Sequence, residues 1–130
     1  MKSSLETMRL VSIWCIILLV VILSSCGKKE ETPTQKPPTV TITSPTDFSS
    51  YVQGDTISFS GTGEDSEDGT LSGASLVWTS NIDDQVGTGT SFSKVLSAGL
   101  HTITLTATDS DGATGSESIT VIVSSVIETE

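Results

Sequence analysis

The stretch Leu100-His101-Thr102-Ile103-Thr104-Leu105-Thr106-Ala107-Thr108 decides the fold. Its period is two. His101, Ile103, Leu105 and Ala107 fall on one side, and Thr102, Thr104, Thr106 and Thr108 on the other. A helix cannot sort residues this way, because its neighbours on one face are three and four apart. A strand does so at every step. With one side apolar and the other hydroxylated, the stretch reads as a half-buried strand of an antiparallel sheet.

Working outward, the same alternation recurs with weaker amplitude. Ile57 and Phe59 point inward between Thr56, Ser58 and Ser60. Val40 and Ile42 mark a first strand, and Leu76 and Trp78 a third. Val86 starts a short one after the Asp83-Asp84 turn. Phe92 and Leu96 mark the next, with Lys94 fitting poorly between them, which suggests a bulge or an edge. Ile119, Val121 and Val123 mark the last. Turn signals separate the runs: Ser44-Pro45, Gly54-Asp55, Asp68-Gly69, Gly87 to Gly89, Ala98-Gly99 and Asp111-Gly112. No segment keeps a helical period. About seven short strands between residues 39 and 124 predict an all-β antiparallel sandwich. Its core is built on Ile57, Phe59, Trp78, Ile103, Leu105 and Val121.

The first quarter of the chain is different. Lys2 and Arg9 precede an unbroken apolar run, Ile13 to Leu23, of 11 residues. That is too short to cross a hydrocarbon core of about 30 Å as a helix, and it suits the centre of a signal peptide. Met8 offers an alternative start that removes Glu6 from this leader. Leu23-Ser24-Ser25-Cys26 follows. It resembles the lipobox of bacterial lipoproteins, in which an aliphatic and two small residues precede the cysteine that is lipidated. The resemblance implies cleavage after residue 25, acyl chains such as palmitate on Cys26, and membrane attachment through them. Several chains on one residue anchor far more firmly than one. It also implies a place in the cell envelope, on the outer membrane where one exists, because Gly27 stands where an aspartate favours inner-membrane retention. Residues 27–38, GKKEETPTQKPP, hold nothing to bury and read as an extended tether reaching about 35 Å. Residues 125–130 form a short tail, and no catalytic domain is expected after it.

The stretch from Pro38 to Val123 resembles bacterial immunoglobulin-like domains of the polycystic-kidney-disease (PKD) type. The residues that carry this are Ser44-Pro45, Gly54-Asp55, Glu64 to Gly69, Leu76-Val77-Trp78, Gly99 to Leu105, Asp109 to Gly112 and Ile119 to Val121. Trp78 is followed by Thr79-Ser80-Asn81 in place of the usual Asp-Phe-Gly-Asp-Gly. Such domains serve as spacers, adhesion modules and appendages, so the resemblance implies a non-catalytic role. The expected function is binding of a surface protein or glycan or support of envelope assembly. The alternative is a passive spacer or accessory subunit, calcium-stabilised or not.

Charge and composition narrow this further. Beyond residue 25 there are four basic residues against fifteen acidic ones, a net charge of −11. Such a domain repels nucleic acid and anionic headgroups. Its two cysteines are Cys15, inside the leader, and Cys26, so no disulfide staples the fold. His101 is the single histidine and has no metal-ligand companion; packing explains it best. Serines and aspartates abound, but no nucleophile elbow marks a triad. Phe48 and Tyr51, in the loop after the first strand, either plug the end of the sandwich or stack on a sugar. The one cofactor the acids suggest is Ca2+. The loops 62–74 and 109–115 leave a seven-strand sandwich at one end, bringing Glu64, Asp65, Glu67 and Asp68 near Asp109 and Asp111. Carboxylates on loops supply the oxygens that Ca2+ needs. Ordinary Asp-Gly turn chemistry accounts for the same residues.

Overall fold

The structure is a computed structural model and describes residues 35–127. The leader, Cys26 and the tether up to Thr34 lie outside the described residues, as do 128–130. Nine strands follow one another: β1 (Thr39–Ser44), β2 (Ser49–Val52), β3 (Ile57–Asp65), β4 (Gly69–Leu71), β5 (Leu76–Ser80), β6 (Asp84–Thr88), β7 (Ser91–Lys94), β8 (Gly99–Thr108) and β9 (Thr114–Ser124). A 3-10 turn, Gly73–Ser75, precedes β5.

One sheet has β3 at its centre, with β1 on one side and both β4 and β7 on the other. The second runs β2-β9-β8-β5-β6. All pairings are antiparallel except that of β2 with β9, where Ser49 to Val52 run parallel to Val121 to Ser124. This is an immunoglobulin-like β-sandwich. Two of its strands, β2 and β4, come in addition to the expected seven. Both are short, at four and three residues, and too brief to show an alternation. The pairing of β2 with a strand some seventy residues later has no local signal.

In β8 the odd-numbered residues from His101 to Ala107 are buried, and the even-numbered ones from Leu100 to Thr108 are exposed or half-exposed. Trp78, Ile103, Leu105 and Val121 are 0% exposed, and Ile57 and Phe59 1%. Leu71, Leu76, Val86, Leu96, Ala107 and Val123 complete the core. At its centre three rings interlock. Phe59 stacks on Phe92 with centroids 4.9 Å apart, and Trp78 meets both edge-on at 5.8 and 5.6 Å. These are the favoured arrangements for aromatic pairs. The Trp78 indole N–H donates to the Gly89 carbonyl at 2.9 Å, so the one polar atom of the ring is satisfied.

Two glycines make room for these rings. A Cβ on Gly61 would stand 2.7 Å from a Leu105 methyl and 3.0 Å from the Trp78 ring. One on Gly87 would stand 2.6 Å from the Phe92 ring. β3 therefore presents Ile57, Phe59 and then no side chain at Gly61, where Leu105 and Trp78 fill the gap from the opposite sheet.

The sheet edges are guarded. Glu117 of β9 accepts the Ile42 amide, so an amide of the edge strand β1 meets a charged side chain. β7 ends at Lys94, on the edge beside β3. Replacing Trp78 with alanine removes the member shared by both edge-on ring pairs. We expect a loss of about 3–5 kcal/mol in urea unfolding; a change within error of zero would mean the rings do not carry the core.

Candidate functional site

Four groups of polar side chains are held firmly enough to be candidates. The first is the acidic end. β3 runs through Glu64 to Asp65 and turns at once into β4, so the segment read as an open loop is a tight hairpin. Asp65 is only 8% exposed. Its Oδ1 accepts the Glu67 and Asp68 amides at 2.8 and 2.9 Å, while its Oδ2 is buried with no hydrogen-bond partner. Those two amides, led by that of Asp68, hold the Asp65 carboxyl below its usual range against the opposing effect of burial. Asp68 reaches across to the β8–β9 turn, where its carboxylate accepts the Ser110 amide at 2.6 Å and hydroxyl at 2.9 Å. Asp109 Oδ1 accepts the Asp111 and Ala113 amides at 3.0 and 2.8 Å. Glu64 is exposed and paired in register with Thr39 and Thr70. Glu67 accepts the Ser66 hydroxyl, and Asp111 is exposed.

The two acidic turns thus meet through Asp68 and Ser110, while the carboxylates engage backbone amides and hydroxyls. Among the described residues no group of three or more histidine, cysteine, aspartate or glutamate side chains is placed to hold a metal ion. Asp65 Oδ2 is the oxygen left over.

The second group lies at the opposite end, around His101. The ring is fully buried. Its Nε2 stands 2.8 Å from the Ser97 carbonyl and its Nδ1 2.8 Å from the Ser80 hydroxyl. A carbonyl can only accept, so Nε2 carries the proton. The Ser80 oxygen already accepts the Ile82 and Asp83 amides at 3.1 and 3.3 Å, so its own proton goes to Nδ1. Neutral imidazole satisfies every partner. Asp83 faces Ser97, taking its amide at 2.9 Å and its hydroxyl at 2.5 Å. The Ser97 hydroxyl is the main cause that lowers the Asp83 pKa, with the Ser97 amide adding to it against partial burial. Serine, histidine and aspartate are thus neighbours here, yet the serine is buried and the aspartate bonds another serine. The arrangement ties the β5–β6 turn to the start of β8.

The third group is the turn before β2. Asp47 Oδ1 accepts the Phe48 amide at 3.1 Å and the Thr120 amide at 2.7 Å. The Phe48 amide also donates to the Thr120 carbonyl at 2.8 Å. Phe48 has φ of 60° and is 68% exposed. Tyr51, by contrast, is half-buried and packs against the core. The two aromatics read as one pair are therefore separated: Tyr51 plugs the sandwich and Phe48 stands in water.

The fourth group is the outer face of the five-stranded sheet. Thr102 pairs with Thr120, Thr104 with Ser118 and Thr106 with Ser116 across β8 and β9. The Thr104 and Ser118 hydroxyls are 2.8 Å apart.

Asp47, Ser80, Ser97 and Glu117 were not singled out from the sequence, since their partners Thr120, His101, Asp83 and Ile42 lie 14 to 75 residues away. Asp47, next to the Phe48 amide it accepts, Ser80, two residues before that of Ile82, and Ser97, four residues before His101, offered local signals.

No family model matches the chain, and no curated protein matches it. Among solved structures it is similar to the fibronectin(III)-like modules of CbhA from Clostridium thermocellum, at 18% identity and a TM-score of 0.61. The match covers 72% of this chain and 50% of that one, so the chain spans half the length of the structure it resembles. At that identity the likeness speaks for the fold.

The lowered Asp83 carboxyl makes one end of the domain sensitive to acid. A depressed folded pKa adds stability that is fully present above the unfolded value of about 3.9 and is lost as the pH falls through the folded one. Asp83→Asn should therefore melt below the parent at pH 7, and the gap should close below about pH 3.9. A gap of the same size at acid pH would show that the carboxylate charge is irrelevant to the Ser97 contact.

Proposed function

We propose that the chain is a non-catalytic module of the cell envelope, anchored by lipid on Cys26, that binds a surface protein or glycan. The observation that carries the non-catalytic part is that its buried serine and histidine bond each other and its turn aspartates bond the backbone. Ser80 and His101 satisfy each other inside the sandwich, and Asp47, Asp65, Asp68, Asp83 and Asp109 accept backbone amides. None of these is a nucleophile paired with a free base. What the sandwich turns outward is a hydroxylated sheet face and an exposed ring. The resemblance to PKD-type domains agrees with this role. The leader and lipobox support the anchor.

The anchor is tested on the full chain in its own host or a bacterial surrogate. Cys26→Ser should abolish incorporation of a palmitate analogue and release the protein from the membrane fraction. Persistent labelling would remove lipid attachment from the proposal.

A second reading, a passive spacer stabilised by calcium, has one observation behind it: Asp65 Oδ2 is buried without a partner at the acidic end. Burying such an oxygen alone is costly, and a cation there would relieve it. The melting temperature in EDTA and in millimolar Ca2+ decides. An ion at a hundredfold excess over its dissociation constant adds about 2.7 kcal/mol, a shift of order ten degrees in a domain of this size. A shift that Asp65→Asn removes supports calcium, and coincident melts with and without the ion reject it.

A further inference from the structure

We propose that Phe48 and the adjoining outer face of the β2-β9-β8-β5 sheet form a docking surface for a neutral glycan chain. The inference rests on the reading of the protein as a binding module and names its partner class and its site.

Phe48 sits at φ of 60°, a region that residues with a bulky side chain rarely occupy. Glycine would take it freely. The turn nonetheless enforces it. The Thr46 carbonyl accepts both the amide and the hydroxyl of Ser49, at 3.1 and 2.6 Å. Asp47 and Thr120 hold the Phe48 amide from either side. The ring so positioned is 68% exposed, the most exposed aromatic among the described residues. Core packing therefore does not explain why a phenylalanine occupies this place. Strain that the surroundings over-determine is found where a side chain is held for a partner.

The neighbouring face says what kind of partner. Phe48 is bonded through its backbone to Thr120, which opposes Thr102 on β8. Ser50 lies beside Ile122, which opposes the exposed Leu100. Along β2, β5, β8 and β9 every outward position is threonine, serine, valine, leucine or isoleucine, with no charge. The rest of the domain is strongly acidic, so an anionic polymer would be repelled from the molecule. A cationic one would find its counter-charges on the turns and not on this face. A neutral chain matches both facts. Sugar hydroxyls both donate and accept, as the serine and threonine hydroxyls do. The apolar face of a pyranose ring has a counterpart in an exposed phenyl ring whose backbone is bonded to Asp47 and Thr120. Protein interfaces draw their strongest contacts from tryptophan, tyrosine and arginine, and this face has none of them.

The test uses the full chain solubilised in detergent. It is incubated with insoluble cellulose, chitin, xylan and mannan, and with alginate as an anionic control, and the bound fraction is measured. Retention on at least one neutral polysaccharide and none on alginate is expected. Phe48→Gly should weaken retention at least tenfold while melting no lower than the parent, because glycine relieves the backbone. Thr102→Asp, which places a charge on the face, should weaken it similarly. No retention on any neutral polysaccharide, or retention that Phe48→Gly leaves intact, overturns the proposal. So does a lowered melting temperature in Phe48→Gly, which would make the ring a packing residue. If polysaccharides fail and one envelope protein is crosslinked in a Phe48-dependent way, the glycan is rejected and the binding module stands. If neither is captured, both readings fall.

Discussion

Everything in this sandwich leans on the indole of Trp78 reaching across to the backbone of Gly61. The two sheets come from opposite ends of the sequence logic. β3 has an inward row that loses its side chains midway, at Gly61 and Gly63; Trp78 and Leu105 take up the space at the first, and Leu76 and Ala107 the space at the second. Phe59 and Phe92 then close on the indole from the first sheet, and Gly87 lets Phe92 approach. With no cysteine beyond residue 26, nothing covalent supports this arrangement. Packing density and the bond from the indole N–H to Gly89 hold it.

The ends of the sandwich depend on a different force. Six aspartates accept backbone amides there: Asp47, Asp55, Asp65, Asp68, Asp83 and Asp109. A carboxylate is the strongest acceptor a side chain offers, and bonds to it are shorter and firmer than neutral ones. Each of these residues closes a turn that two short strands cannot close alone. Much of the acidity that looks, in composition, like a solubility device or an ion cage is therefore also turn closure. His101 belongs to the same class of device in neutral form, joining Ser80 to Ser97 inside the core.

The legibility of the sequence follows from the range of each interaction. The alternation in β8 and β3 repeats every two residues, so the sandwich and residues such as Ile103, Leu105 and Phe59 can be read directly. The turns at Asp68-Gly69 and Asp111-Gly112 are local and readable too. β2 is invisible because its four residues gain their order from β9, some seventy positions on. The open loop at 62–74 becomes a hairpin because Asp65 folds its own turn through the Glu67 and Asp68 amides. Residue type shows that an aspartate can bind a cation, but not whether its oxygens already have partners. The difference between Phe48 and Tyr51 lies in three residues of backbone, and only the geometry of the turn separates an exposed ring from a packed one.

A fold specified by inward alternation leaves its outward positions unassigned. In β8 the residues His101, Ile103, Leu105 and Ala107 satisfy the core, while Thr102, Thr104 and Thr106 satisfy only the requirement of a strand for β-branched side chains. Charged residues would serve on that side equally well for solubility, and the turns of this domain are full of them. The likeness to fibronectin(III)-like modules, at 18% identity and a TM-score of 0.61, is one of fold with most residues different. Function in a protein of this kind has to be sought where the fold is indifferent or where it works against its own preference. The uncharged sheet face is a case of the first and the backbone of Phe48 a case of the second, and Thr120 joins the two.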